Sequence, residues 1–221
     1  MTTPQPSQSL SVVHVDEHLL VLDKPSGLLC VPGRGEDKQD CLSTRAQQRW
    51  SECLIVHRLD MATSGLVLMA RSPAMQRALG LAFERRRVHK RYEAVVYGQP
   101  DAPAQPEGWG DIDLPLIVDW LNRPRSKVDH AIGKPSRTRW RPLGPGPMPG
   151  TTRLLLEPLT GRTHQLRVHL MALGHPIVGD PLYAPPHAQA LSPRLLLHAC
   201  ELGFEHPASG QWLQLRSATP F

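Results

Sequence analysis

The chain has 221 residues, of which 40% are hydrophobic and 20% charged, and this is enough for one substantial core. No apolar run approaches the roughly 20 residues that a membrane helix needs, and the polar residues 1–8 lack the basic and apolar regions of a signal peptide. These features exclude a membrane-spanning chain, and we expect an enzyme-sized globular protein that stays in the cytoplasm.

Basic residues outnumber acidic residues by 25 to 20, which gives a net charge of +5, and 20 of the basic residues are arginines. Arginine binds phosphate through paired hydrogen bonds and stacks on bases, so this balance favours a nucleic-acid partner. The four cysteines form no C-x-x-C pair. Scattered thiols of this kind predict reduced core residues and no metal site.

The N-terminal half predicts short strands and two helices. Strands at residues 11–16 and 18–24 form an opening hairpin that ends at the breaker Pro25-Ser26-Gly27. The elements that follow are a helix at 41–50, a strand at 65–70, a helix at 73–86 and a strand at 88–97. Ser72 and Pro73 supply an N-cap and a first-turn proline for the second helix.

The C-terminal half predicts mostly strands. A loop at 101–110 and a broken apolar strip at 112–118 precede a polar stretch at 122–141, which carries seven basic residues and one acid. The Pro/Gly-rich segment 143–150 predicts a hairpin loop more than a domain boundary. The remaining elements are a strand at 151–157, a helix from its N-cap Thr163 to Leu173, and a hairpin of strands at 195–206 and 211–216.

About eight strands and three or four helices, without regular strand–helix alternation, predict an α+β fold with a mixed, largely antiparallel sheet. About ten residues precede the first strand. We therefore expect a flexible tail at 1–10 and a single domain at 11–221.

A candidate catalytic carboxylate lies in the first polar motif, His57-Arg58-Leu59-Asp60. The motif directly precedes Thr63-Ser64-Gly65 and the apolar strand, so Asp60 lies in a polar turn that leads into the core. The alternative is that Asp60 only makes turn hydrogen bonds with Thr63 or Ser64, and this is the more common role of an Asp at such a turn.

A second motif runs from Thr160 to His169. Leu166 starts a core stripe on the following helix, and Arg167 lies about 100° round the helix from it, at the edge of the buried face. A buried guanidinium needs a partner, whereas an Arg on a half-exposed helix extends its charge to solvent. His164 and His169 lack metal-ligand spacing, so we expect structural or RNA-contacting histidines.

A third motif, residues 85–92, combines basic side chains with Tyr92. Cations at a helix C-terminus complement the helix dipole, which is one explanation. The other is an edge that binds phosphates beside an aromatic stacking platform. The basic stretch at 122–141 adds a second basic rim and favours the latter. The chain contains neither G-x-G-x-x-G nor G-x-x-x-x-G-K-[ST], which argues against dinucleotide or triphosphate chemistry.

The three motifs together resemble the signatures of the RluA family of pseudouridine synthases. The resemblance rests on His57-Arg58-Leu59-Asp60, Lys90-Arg91-Tyr92 and the run from Gly161 to His169, and it extends over nearly the whole chain through Lys24-Pro25-Ser26-Gly27-Leu28 and Arg194-Leu195-Leu196-Leu197-His198-Ala199. Val31-Pro32-Gly33-Arg34, Asp119-Trp120 and Asn122-Arg123-Pro124 are similar to the loops of one subgroup. The S4-like RNA-binding domain of many relatives is expected to be missing.

The resemblance implies isomerisation of uridine to pseudouridine in a central cleft, without a cofactor. The subgroup implies two substrates, a hairpin loop of 23S rRNA and a tRNA anticodon stem-loop. It also implies that Asp60 is the catalytic aspartate, that Arg167 is its ion-pair partner and that Tyr92 packs against the uracil. Arg58 is expected to enter the base stack when the target leaves it. Further expected substrate contacts are Leu166, Arg86, Arg87, Lys90, Arg123 and Arg162.

The chemistry is consistent with these expectations. Isomerisation breaks an N-glycosidic bond and forms a carbon–carbon bond with no net redox change, so one carboxylate can suffice, whereas hydrolytic glycosidases usually need a second one to activate water. The target base must be flipped out at a cost of a few kcal/mol.

RNA is the expected partner; we expect a monomer with no obligate protein partner. Two alternatives stay open: a non-catalytic RNA-binding protein, and an Asp60-dependent nucleoside hydrolase or glycosylase that releases free uracil.

Overall fold

The computed structural model describes residues 10–103 and 108–221. The predicted tail at 1–10 therefore lies outside the described residues except for Leu10, as do residues 104–107 of the predicted loop at 101–110. None of the helices within the described ranges is long and apolar enough to cross a membrane.

Strands dominate the described residues. They are β1 (Ser11–Val15), β2 (Leu19–Lys24), β3 (Leu54–Ile55), β4 (Ser64–Ala70), β5 (His89–Tyr97), β6 (Gly110–Asp113), β7 (Leu116–Val118), β8 (Ser126–Val128), β9 (Arg137–Pro145), β10 (Thr151–Pro158), β11 (Leu197–Glu205) and β12 (Trp212–Arg216). The α-helices are α1 (Leu42–Arg49), α2 (Pro73–Glu84), α3 (Gln165–Ala172) and α4 (Pro186–Gln189).

Ten of these strands form one sheet, in the order β1-β2-β4-β11-β5-β10-β9-β6, with β12 added beside β11 and β3 beside β4. Strands β7 and β8 form a separate two-stranded sheet. Strands β4 and β11 run parallel, and the other pairs are antiparallel. The predicted α+β fold with a mixed, largely antiparallel sheet is confirmed.

The hairpin predicted at 143–150 is confirmed, because β9 and β10 are antiparallel neighbours and Gly146 N–H donates to Thr151 O (2.9 Å), but the loop is shorter than predicted, since residues 143–145 belong to β9. The count of about eight strands was too low. Strands β3, β7 and β8 have only two or three residues, too few to display a period-two pattern. The basic stretch at 122–141 contains β8 and the first half of β9.

Three apolar clusters pack helices against the sheet. Helix α2 contributes Leu79 to the cluster of Leu66, Leu68 and Phe204. Two further clusters contain Leu42 and Ala46 of α1, and Leu166 and Leu170 of α3. Tyr92 on β5 packs against both of these clusters, so their junction lies at the middle of the sheet. Cys30, Cys41, Cys53 and Cys200 are buried and free, as predicted.

Gly65 makes the central parallel pairing possible. It lies opposite Ala199 of β11 with φ of +113°, and a Cβ at this position would lie 2.4 Å from the Ala199 carbonyl oxygen. Only glycine combines this backbone angle with so close an approach. The loop at residues 58–63, which leads into β4, is therefore brought over the centre of the sheet.

Candidate active site

A cavity of about 120 Å³ lies between the loop at 58–63, the start of β5 and the N-terminal end of α3. Seven of the ten site residues predicted from the sequence line it, namely Arg58, Asp60, Lys90, Tyr92, Leu166, Arg162 and Arg167. Three motifs that are distant in the sequence therefore converge on one small, polar cavity.

Asp60 and Arg167 meet at this cavity. Arg167 Nη1 lies 3.4 Å from Asp60 Oδ2, and the Arg167 side chain is 3% exposed whereas that of Asp60 is 30% exposed. The turn hydrogen bond is made by the backbone, because Thr63 N–H donates to the Asp60 carbonyl oxygen (3.1 Å). The carboxylate is thus left facing the cavity, which disagrees with a purely turn-forming role for Asp60.

The main partner of Arg167 is a residue that the sequence analysis did not single out. Arg167 Nε and Nη2 donate to the two carboxylate oxygens of Asp180 at 2.8 and 2.7 Å, and Asp180 is fully buried. Burial lowers the pKa of Arg167, but the hydrogen bonds and charge of Asp180 outweigh it and raise the net pKa above its ordinary value. Arg167 is therefore a permanently charged group with one nitrogen free to approach Asp60.

The sequence feature that indicates a buried, paired carboxylate at Asp180 is its position after the apolar residues Ile177 and Val178. A carboxylate in a buried segment needs a cationic partner, because an unpaired buried charge is costly. The partner could not be identified from sequence, since 13 positions separate Asp180 from Arg167.

Lys24 is the second residue without a predicted role. It is fully buried, and its Nζ donates to the carbonyl oxygens of Pro25 (2.9 Å), Leu28 (2.7 Å) and Met61 (3.0 Å). Burial lowers the pKa of Lys24 to about 8, against the opposing charges of Cys30 and Asp60. This ammonium group ties the loop after β2 to the residue that follows Asp60.

Tyr92 presents its ring to the cavity from β5. Burial raises the pKa of its phenol well above the ordinary value, and the nearby charge of Asp60 acts in the same direction. The hydroxyl is therefore protonated at neutral pH. Its chemistry is that of a neutral ring and a hydrogen-bond donor rather than of a base.

The N-terminal end of α3 differs from the prediction that Thr163 caps this helix. Thr163 is exposed, the helix begins at Gln165, and the Gln165 side chain takes the polar contacts instead. Its Oε1 accepts from Arg162 N–H (3.0 Å) and from the Thr160 hydroxyl (2.6 Å). The buried amide outcompetes Thr163 because it also donates to β9, through Arg137 O at 3.0 Å.

A second, larger groove of about 760 Å³ adjoins the cavity and shares Lys90 and Arg162 with it. Arg86, His89 and Arg139 add further basic side chains to its lining. Arg86 thus lies along the groove rather than in the cavity. Arg87 is exposed and lines neither space, and Arg123 stacks 3.2 Å over the ring of Trp120 in the loop between β7 and β8.

A larger cavity, of about 1360 Å³, lies elsewhere in the described residues. Asp23, Ser64, Arg194 and His198 are among the residues that line it, and none of the ten predicted site residues does. The smaller cavity is the better candidate for chemistry, because it combines a solvent-facing carboxylate, a buried guanidinium and an aromatic ring.

Comparisons with known proteins point to one family. A family model described as RNA pseudouridylate synthase matches residues 18–172. The chain is 47% identical to the dual-specificity RNA pseudouridine synthase RluA of Pasteurella multocida over 219 residues, covering 99% of this chain and 97% of that protein. It is also 47% identical to the protein of the same name from Escherichia coli K12, covering 96% of this chain and 94% of that one.

A solved structure is similar over the whole chain. Human RNA pseudouridylate synthase domain containing 1 superposes with a TM-score of 0.79 at 30% identity, covering 100% of this chain and 87% of that one. The fold and the sequence therefore point to the same group of proteins.

Proposed function

The chain belongs to the RNA pseudouridylate synthase family, and from this premise we propose that Asp60 is the carboxylate with which it isomerises uridine to pseudouridine in RNA. The observation that carries the proposal is the position of Asp60 at the cavity, 3.4 Å from Arg167 Nη1. Arg167 is itself fixed by two hydrogen bonds to Asp180. The buried guanidinium thus places a fixed positive charge beside the proposed catalytic carboxylate.

The reaction conserves every atom of the nucleoside. The bond between N1 and C1′ breaks, the uracil turns, and a bond from C5 to the same C1′ replaces it, while C5 loses a proton and N1 gains one. Asp60 starts this sequence by attack on the sugar, by attack on the uracil ring or by removal of a sugar proton. Each route uses the carboxylate group of Asp60, beside which the Arg167 guanidinium lies.

Tyr92 and Leu166 form the apolar part of the proposed base site. Both line the cavity, and Tyr92 also packs against the core beneath it. A flat ring against the uracil restrains the base while it is detached from the sugar. It also limits access of water, whose attack would turn the isomerisation into hydrolysis.

We propose that RNA binds this surface and that its backbone follows the groove of about 760 Å³ beside the cavity. Lys90 and Arg162 lie where groove and cavity meet, and Arg86 lies farther along the groove. Their charges suit phosphates on both sides of a flipped nucleotide. Arg58 is exposed at the cavity edge, where it can replace the extruded base in the stack.

Arg87 and Arg123 are proposed to contact RNA outside this groove. Arg123 and the 69% exposed Trp120 present a cation stacked on an aromatic ring, next to the 95% exposed Leu121. Such a surface suits unpaired bases in a loop. Arg87 extends the basic edge next to Arg86.

Two substrates are proposed, a hairpin loop of 23S rRNA and a tRNA anticodon stem-loop. The support is the similarity, at 47% identity over nearly the full length, to two proteins described as dual-specificity. We further propose that the protein acts in the cytoplasm as a monomer formed by a single domain at 11–221, without an obligate protein partner.

The direct test uses stem-loop RNA with tritium at C5 of uridine. The wild-type protein should release tritium to water without releasing free uracil. Asp60→Asn should reduce tritium release by at least about 10³-fold while RNA affinity is largely kept, since a central catalytic group is lost but the basic groove is not. Asp40→Asn, which changes an exposed aspartate paired with Arg45, serves as the matched control and should retain full activity.

Two results would contradict the proposal. Normal tritium release by Asp60→Asn would remove Asp60 from the chemistry. Free uracil as the main product of the wild-type protein would indicate a glycosylase.

A further inference from the structure

His164 is, in addition to Arg167, a polar side chain beside the Asp60 carboxylate. Its Nε2 lies 3.8 Å from Asp60 Oδ2, the same oxygen that Arg167 Nη1 approaches to 3.4 Å. The His164 side chain is only 10% exposed. Two nitrogen groups therefore converge on Oδ2, whereas Oδ1 makes no hydrogen bond to any of the residues that the structure describes.

The other ring nitrogen of His164 is fixed by Tyr183. His164 Nδ1 lies 2.7 Å from the Tyr183 hydroxyl, and that hydroxyl oxygen accepts from Ser126 N–H at 2.7 Å. If the Tyr183 phenol donates to Nδ1, every proton in this series of hydrogen bonds has an acceptor. Nε2 then carries the hydrogen that points to Asp60. The opposite tautomer would turn a lone pair of Nε2 toward the carboxylate.

The charge state agrees with this arrangement. Burial lowers the pKa of His164, an effect that Arg167 reinforces and that Asp60 and Asp180 oppose. The imidazole is neutral at neutral pH and acts as a directed donor rather than as a second cation. Tyr183 keeps its proton as well, because burial raises its pKa.

The backbone holds the ring in this direction. His164 has a left-handed conformation, with φ of 56° and ψ of 21°, immediately before α3. A residue with a β-carbon is rarely found there unless surrounding contacts compensate for the strain. The hydrogen bond from Tyr183 and an edge-on contact between the two rings, 5.6 Å apart at 82°, supply that compensation.

We propose that His164, with its tautomer set by Tyr183, is a positioning residue that anchors Oδ2 of Asp60 together with Arg167, so that Oδ1 is the oxygen that acts on the nucleotide. The inference rests on the proposed catalytic role of Asp60.

Three variants separate the elements of this arrangement. His164→Phe keeps a ring but removes both nitrogens, His164→Gln keeps an amide donor at the reach of Nε2, and Tyr183→Phe removes only the hydroxyl. His169→Gln is the matched control, because His169 is a buried histidine of α3, the helix that follows His164, and it contacts Thr138 and Leu114 instead of Asp60.

The measurement is single-turnover tritium release from saturating RNA, with RNA affinity determined separately. His164→Phe should slow the rate constant 10- to 100-fold with unchanged affinity, and His164→Gln should recover part of the loss. Tyr183→Phe should slow the wild type several-fold but have no added effect in the His164→Phe background, because the hydroxyl acts through His164. His169→Gln should retain the wild-type rate constant.

The outcomes distinguish this inference from the proposed function. A normal rate in folded His164→Phe beside an inactive Asp60→Asn overturns the role of His164 and leaves that of Asp60. Weakened RNA binding that accounts for the whole loss also overturns it, because His164 would then be an RNA contact. If His164→Phe does not fold, independent effects of His164→Gln and Tyr183→Phe, additive in the double variant, overturn it equally.

Discussion

At the scale of single residues, the site depends on charges that are buried and paired. Asp180 accepts four hydrogen bonds, two from Arg167 and one each from the backbone N–H groups of Leu182 (2.9 Å) and Tyr183 (3.2 Å). Its carboxylate thus connects α3 to the segment before α4. The direction of the Arg167 guanidinium, and through it the environment of Asp60, follows from this one side chain.

We expect Asp180→Asn to lower the free energy of unfolding by about 3 kcal/mol, because removing one partner of a buried pair leaves an uncompensated charge. Arg167 should then turn toward Asp60 and slow catalysis. Urea unfolding and tritium release measure the two effects. Asp111→Asn is the control, since Asp111 pairs with the exposed Arg137 and such pairs contribute about 1 kcal/mol or less. Equal losses in both variants would contradict this account.

At the scale of elements, the contact between β4 and β11 determines where the catalytic loop lies. Gly65 brings the two backbones together, and the loop at 58–63 precedes it directly. Lys24 supports the same loop from β2 through its bond to Met61 O, and Ser26 adds a bond from its hydroxyl to Ala62 O (2.7 Å). The loop that carries Asp60 is therefore held through its own backbone carbonyls by side chains from the end of β2 and the turn after it, and by its direct continuation into β4.

Gly65→Ala should destabilise the protein by about 2 kcal/mol or more, because the new Cβ would meet the Ala199 backbone at an unfavourable φ. Gly80→Ala is a useful comparison, because it should change the stability in the opposite direction. Gly80 lies inside α2 with no atom within 4 Å of an added Cβ, so this variant should stabilise by about 0.5–1 kcal/mol. Thermal unfolding of both variants measures these changes in stability. A Gly65→Ala variant as stable as the wild type would contradict the close approach of residue 65 to the Ala199 backbone.

Sequence patterns were most reliable where the determining interaction is local. Ser72 was predicted as an N-cap, and its Oγ accepts from Met75 N–H at 3.2 Å, three residues away. Thr163 was predicted as a cap on the same reasoning and was wrong, because Gln165 has partners on β9 that no local pattern reveals. Asp180 and Lys24 were missed for the same reason, since their partners are set by tertiary structure.

At the scale of the whole molecule, buried histidines give the fold a dependence on acid. Burial lowers the pKa of His57 to about 3, with a further contribution from Lys90, and it also lowers the pKa of His164, His169 and His198. The half-buried His57 is neutral, and its Nε2 accepts from Leu68 N–H (3.0 Å). In the unfolded chain these histidines have ordinary pKa values near 6.5, so they bind protons below that pH while the same side chains stay neutral in the folded protein.

Stability should therefore be highest above pH 6.5 and should decrease as the pH falls from there toward 3. For His57 the slope reaches about 1.4 kcal/mol per pH unit. Urea unfolding at pH 7.5, 6.5 and 5.5 measures it. His57→Gln, which keeps an acceptor for Leu68, should flatten the dependence by about one proton, whereas the exposed His130→Gln should not. A stability that is constant over this range would contradict the prediction.

The burial of all four thiols has a practical consequence for following the protein at work. Burial raises the pKa of Cys53 to about 11 and that of Cys200 to about 12, so these sulfurs are poor nucleophiles in the native state. A single cysteine introduced on the exposed loop next to Trp120 would then be the preferred target for a maleimide dye. The native cysteines therefore need not be replaced before such labelling, and the dye could be used to follow that loop by fluorescence when RNA binds.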